Sequence, residues 1–149
     1  GNPKNLRTLA DLGKLGISLG TTDPTVSTLG DLSWQLLEKA GVAETIKAND
    51  SWQVTTPTAH ELILQMEGHP KLDVALAYLA NCQNLSNEVL ETVPIEDPIA
   101  KAIQNIAVAK KSRFPQMSGR LIEAITSTTS RERFLNAGFD WKVVDSSEN

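Results

Sequence analysis

KLDVALAYLANC, residues Lys71–Cys82, is the stretch from which the rest of the chain is read. A charged turn leads into Val74-Ala75-Leu76-Ala77, a small and aliphatic run with no polar break. Bounded by turn signals, such a run reads as a buried strand of a parallel sheet, although periodicity alone leaves a buried helix open. It ends on Tyr78, the single tyrosine of the chain. In open α/β sheets ligands sit beyond the carboxyl ends of the strands, so a phenol there offers a neutral donor at a cleft mouth. An amphipathic tyrosine with a buried ring and a wet hydroxyl accounts for the residue equally well without a ligand.

Toward the amino terminus the same alternation of strand and helix repeats. Residues 59–67 are expected to form a helix with Leu62, Ile63 and Met66 inward, and Thr58 with Glu61 makes a T-x-x-E capping pattern. His60 falls in its first turn with no identifiable carboxylate partner and is expected to be exposed. Trp52-Gln53-Val54-Thr55 reads as the preceding strand, and residues 43–48 as a short helix. Before them, Leu29, Leu32, Leu36, Leu37 and Ala40 share one helical face from about Ser27, with Gly41 as the stop. Gly16–Gly20 is expected to be a strand opening into the polar loop Thr21–Thr25. Thr8 is positioned to cap a short helix over residues 9–12, closed by Gly13.

Beyond Cys82 the pattern is weaker. Residues 79–85 read as about one helical turn, 89–94 as an edge strand closed by proline, and 103–109 as a further strand. Pro115 starts a helix expected to run through Ile125, and Ser130 is expected to cap a last one through Asn136. Residues 141–144 read as extended.

At 149 residues the chain fits one domain, or one lobe plus part of another. Its 40% hydrophobic and 21% charged residues are those of an ordinary globular protein, and no stretch approaches the roughly 20 apolar residues of a membrane span. Cys82 stands alone, which excludes an internal disulfide and a multi-cysteine metal site; His60 and His69 do not add a ligand set at a usual spacing. No cofactor is expected. Residues 1–100 carry 13 acidic against 6 basic side chains, and residues 101–149 carry 5 against 8. Two segments are therefore expected to meet near Asp97-Pro98. The basic one lacks the aromatic and glycine patterning of a nucleic-acid module, so no nucleic-acid partner is expected.

Signatures of enzymes are missing: there is no G-x-S-x-G elbow, no G-x-x-x-x-G-K-[ST] loop and no H-E-x-x-H. Cys82 has no base assigned to it and reads as a structural thiol. What remains is a set of neutral donors. Ser27 and Thr28 open one helix, Thr58 and Ala59 open another, and Tyr78 ends a strand. Each helix start offers unpaired N–H groups and about half a positive charge. Two starts aimed at one point bind an anion without an arginine; ordinary helix capping explains the same residues without one.

The order NPKNLRTLADLGKLGISLGTTDP, TLGDLSWQLLEKAG, VTTPTAHELIL, KLDVALAYLAN and RERFLNAGFDWK resembles the periplasmic molybdate-binding protein family, the substrate-binding components of ABC importers. The resemblance implies a two-lobed type II periplasmic-binding fold. Here that means a three-layer α/β lobe over residues 1–100, with a mainly parallel sheet flanked by helices. Residues 101–149 would return into the other lobe as a C-terminal helical segment. It also implies a binding protein rather than an enzyme. A tetrahedral oxyanion such as molybdate or tungstate would be held by amides at Leu29 (beside Thr28) and Ala59 (beside Thr58), and by the Tyr78 hydroxyl. The implied partners are that oxyanion and a membrane permease, and the implied location is periplasmic or extracellular. The family's first lobe begins with a βαβ segment bearing serine contacts, which these residues do not contain. The chain is accordingly expected to be a C-terminal portion, to bind weakly, and to self-associate. A sensor or regulatory domain of the same fold, taking another small ligand, is the alternative.

Overall fold

The computed structural model describes residues 1–68, 72–83 and 90–141. Two compact units divide the chain, Gly1–Ala102 and Ile103–Asn149. The first is built on a three-stranded parallel sheet. Its strands are β1 (Leu19–Thr22), β2 (Trp52–Thr56) and β3 (Val74–Ala75), in the order β2-β1-β3. Between β1 and β2 run α1 (Thr28–Lys39) and α2 (Ala43–Ala48); α3 (Ala59–Gly68) links β2 to β3, and the short α4 (Leu79–Cys82) follows.

Alternation along β1 separates the layers. Leu19 packs with Trp34 and Leu37 of α1 and Ile46 of α2, which are among the most buried side chains of the unit. Gly20 points the other way, where a Cβ would meet Leu62 of α3 at 2.9 Å. Helices therefore cover both faces of the sheet, the three-layer α/β arrangement expected of this sequence. Trp34 and Trp52 meet edge to face at 4.9 Å, and Trp52 donates its indole N–H to Thr21 Oγ1 at 2.8 Å. Gly41, at φ +72°, ends α1 as the glycine stop requires: the Val42 amide turns back to Leu37 O at 3.0 Å.

Several expectations need correction. The first strand is Leu19–Thr22, so Thr21 and Thr22 belong to the sheet and not to the polar loop. Both are fully buried; β-branched threonine suits a strand once its hydroxyl has a partner. The strand before Tyr78 spans only Val74–Ala75, although the Leu76 amide still reaches Gly20 O at 3.1 Å. Inward positions of α1 include Ser33 and Trp34, while Leu32 is only half buried. Residues 90–94 form no strand. That stretch is held by side chains instead, through the Arg7–Glu91 ion pair, with Lys39–Asp97 at 2.6 Å just beyond it and Ile95 against the core. The expected turn at His69-Pro70, residues 84–89 and the extended stretch after Trp141 lie outside the described residues.

The described residues of the unit Ile103–Asn149 contain two helices, α5 (Pro115–Thr126) and α6 (Thr128–Asn136). The expected strand at 103–109 is absent: Ile103 is 84% exposed, and no described strand lies alongside to take its backbone hydrogen bonds. Ser127, not Ser130, caps α6, accepting from the Ser130 amide at 3.3 Å. Phe134 packs on Phe139 and Trp141 at 5.5 and 5.3 Å. Met117, Leu121 and Phe114 remain exposed.

Three carboxylates make the fold acid-sensitive. Lys14, with the Arg7 and Thr8 amides, holds Asp11 well below the usual carboxylate range. Thr25 lowers Asp23, and Lys39 with the Ile99 amide lowers Asp97. A depressed folded-state value stabilises above the unfolded value and is lost as pH falls through the folded one. The unfolding midpoint is therefore expected to be flat above about pH 5 and to drop below about pH 4. A midpoint unchanged on acidification would contradict this assignment.

Candidate functional site

Because the strands are parallel, their carboxyl ends share one edge, with Thr22 opposite Thr56 and Gly20 opposite Ala75. Neighbouring strands lie about 4.8 Å apart, so the outer two are separated by roughly 10 Å. From adjacent ends, β1 feeds α1 on one face and β2 feeds α3 on the other. In open α/β sheets divergence of that kind marks the place where a ligand crevice is expected. The Asp23 amide bonds to Thr56 O at 2.8 Å and ties the two ends together.

At the α1 start the backbone turns tightly. The Ser27 amide bonds to Asp23 O at 2.9 Å, and the first partnered amide of the helix is Asp31, on Ser27 O at 3.1 Å. Thr28, Leu29 and Gly30 thus present the amides that a helix leaves without an internal partner. Ser27 is the N-cap, yet its side chain caps nothing; its hydroxyl lies 2.9 Å from Thr22 Oγ1. Leu29 has its side chain buried, leaving only backbone to offer. Asp23 is the acid of the preceding loop, and its Oδ1 is engaged by the Thr25 hydroxyl and amide at 2.7 and 2.8 Å, which holds its carboxyl below the usual range.

The second start follows Thr58. Its hydroxyl accepts from the Glu61 amide at 3.3 Å, the Thr58 half of the expected capping pattern, and its carbonyl accepts from Leu62 at 3.1 Å. Ala59 and His60 supply the earlier amides, and the His60 side chain is exposed as expected. Thr56 Oγ1 donates to Thr58 O at 2.9 Å, fixing the loop between strand and helix.

Tyr78 is the N-cap residue of α4 rather than the last residue of a strand. It is half buried, and burial pushes its phenol up, so it is a protonated donor at neutral pH. Among the described residues its hydroxyl has no hydrogen-bond partner. Its carbonyl accepts from the Asn81 amide at 2.9 Å and from Cys82 Sγ at 3.6 Å. Burial also pushes the Cys82 thiol up, opposed by a hydrogen bond from Thr92.

All five residues singled out in the sequence thus follow the carboxyl ends of the three strands, Thr28 and Leu29 after β1, Thr58 and Ala59 after β2, Tyr78 after β3. Sequence reasoning missed Gly30. A Cβ there would lie 2.4 Å from Thr22 O and 2.7 Å from Asp23 C and Pro24 N, so α1 can start against this loop only with glycine. A glycine one turn inside a helix is intrinsically disfavoured, which was the available signal. A pocket of about 430 Å³ lies elsewhere, at the opposite edge, lined in part by Lys4, Met66, Leu72 and Asp73. In its lining Lys4 Nζ lies 2.7 Å from Asp73 Oδ2, beside the residues that lead into β3 rather than those that leave it.

Comparison with known proteins matches residues 1–140 to a family described as bacterial extracellular solute-binding protein. No curated protein matches the chain. None of the described helices is long and apolar enough to cross a membrane.

Proposed function

The chain belongs to the bacterial extracellular solute-binding proteins, and on that premise we propose that it binds a tetrahedral oxyanion for an ABC importer. What supports this reading is that α1 and α3 both start after the carboxyl ends of adjacent parallel strands, and that Ser27 makes no side-chain cap bond to α1. Unpaired amides and two macrodipoles favour an anion there, and the protonated phenol of Tyr78 adds a neutral donor. In this reading the Leu29 and Ala59 amides with the Tyr78 hydroxyl are the ligand contacts, and Thr28 and Thr58 shape the turns that present them.

Donors alone suit an ion that carries no proton near neutral pH, such as molybdate or tungstate. Phosphate retains one and calls for a carboxylate acceptor; the acid of the first loop is Asp23, whose Oδ1 accepts from Thr25 and whose Oδ2 would have to take that proton's hydrogen bond. Residues 1–100 form the lobe that carries the site, and residues 101–149 lead into the other lobe. Calorimetric titration with molybdate, tungstate and phosphate tests the proposal. Binding of the first two well ahead of phosphate is expected; preference for phosphate, or heat only from an uncharged solute, would overturn it.

Self-association is proposed through the apolar side chains of the C-terminal unit, among them Phe114, Met117 and Leu121. Each large apolar side chain withdrawn from water contributes about 1.5–3 kcal/mol. Sedimentation at micromolar concentration is expected to show dimers or larger species, and a strict monomer would contradict it.

A further inference from the structure

We propose that Thr22 is a positioning residue of this site: its buried hydroxyl holds the Ser27 hydroxyl aside and so keeps the first amides of α1 open. The proposal rests on the oxyanion reading above. A serine at a helix N-cap normally accepts a hydrogen bond from the second or third amide of the helix. Three other caps in this chain behave that way, whereas the Thr8 hydroxyl instead donates to Asp11 Oδ2 at 3.0 Å. Ser127 accepts from Ser130, Thr58 from Glu61, and Asp97 from Ile99. Ser27 has the extended backbone of an N-cap, with φ −128° and ψ 124°, and makes no such bond.

The cause is local. Backbone bonds on both sides of Ser27, its amide to Asp23 O and its carbonyl from Asp31 N, fix where its Cβ lies. Rotation about that one side-chain bond then decides whether the hydroxyl caps the helix or meets Thr22. Thr22 Oγ1 sits 2.9 Å away, in a residue with no exposed surface. A buried hydroxyl without a partner is costly, so Thr22 retains Ser27 and withholds it from the amides. An anion reaching α1 has no intramolecular acceptor to displace.

Thr22→Val keeps the shape and removes the hydroxyl. Ser27 is then free to cap α1, and a ligand must compete with it. Molybdate titration calorimetry on the wild-type chain, T22V, T22S and the T22V/S27A double variant tests this. T22V is expected to weaken binding by roughly two- to thirtyfold, the equivalent of one N-cap. T22S, which keeps the hydroxyl, is expected to bind like wild type, and T22V/S27A to recover affinity relative to T22V because no cap remains. A merely structural loss would not be rescued by a second truncation. If T22V does not fold, S27N supplies a cap while Thr22 stays in place and loses its Ser27 partner, and it is expected to weaken binding over the same range. Normal affinity in T22V (or in S27N, where that variant stands in for it), or no recovery in T22V/S27A, overturns the role of Thr22 alone. A wild-type chain that takes up no molybdate overturns the oxyanion reading and this role with it.

Discussion

Gly30→Ala is expected to lower both the stability of the N-terminal unit and its affinity for molybdate. The added methyl would stand 2.4 Å from Thr22 O, with Asp23 C and Pro24 N at 2.7 Å. Forcing a methyl into a packed site costs about 1–3 kcal/mol where side chains can yield, and here the obstacle is backbone. Helix propensity favours alanine by about 1 kcal/mol, leaving a net loss of about 2 kcal/mol or more. Relief requires α1 to move off the loop, which carries the Thr28 and Leu29 amides away from the crevice. Losing one hydrogen bond to a charged ligand costs about 1.5–3 kcal/mol, so affinity is expected to fall about tenfold to a hundredfold. Thermal unfolding and calorimetry read the two effects separately. A wild-type midpoint in G30A would mean that the close approach does not exist in solution.

Tyr78→Phe is expected to leave folding nearly intact and to weaken molybdate binding about tenfold to a hundredfold, the contribution of one bond to a charged ligand. The ring remains to fill its half-buried place before α4, and among the described residues the hydroxyl supports no other group. Stability and affinity should therefore separate, unlike in G30A. Unchanged affinity would remove Tyr78 from the site.

Where periodicity was strong the fold was legible. The leucine stripe ending at Gly41 gave α1, and residues 43–48 and Ala59 onward gave α2 and α3, because each buries a regular face. Strand limits were harder. Thr21 and Thr22 look polar in sequence; pairing with Thr55 and Thr56 makes them strand residues, and Trp52 Nε1 and Ser27 Oγ satisfy their buried hydroxyls. Residues 103–109 carry the apolar composition of a strand but, among the described residues, no neighbour to pair with, and pairing is not a local property. In the site, helix starts and Tyr78 could be named because caps and strand ends leave marks in sequence. Gly30 left only the mark of a glycine inside a helix, and the Thr22–Ser27 contact left none, since both depend on where α1 lands against β1.

The most direct measurement is an amide NMR titration of the chain with sodium molybdate. Binding at the crevice predicts saturable shifts in the Thr28, Leu29 and Gly30 amides of α1 and the Ala59 and His60 amides of α3, with Tyr78 following at the same ligand concentration. Saturable shifts confined to the Lys4–Asp73 edge, or no shifts at any of these amides while molybdate binds, would contradict it.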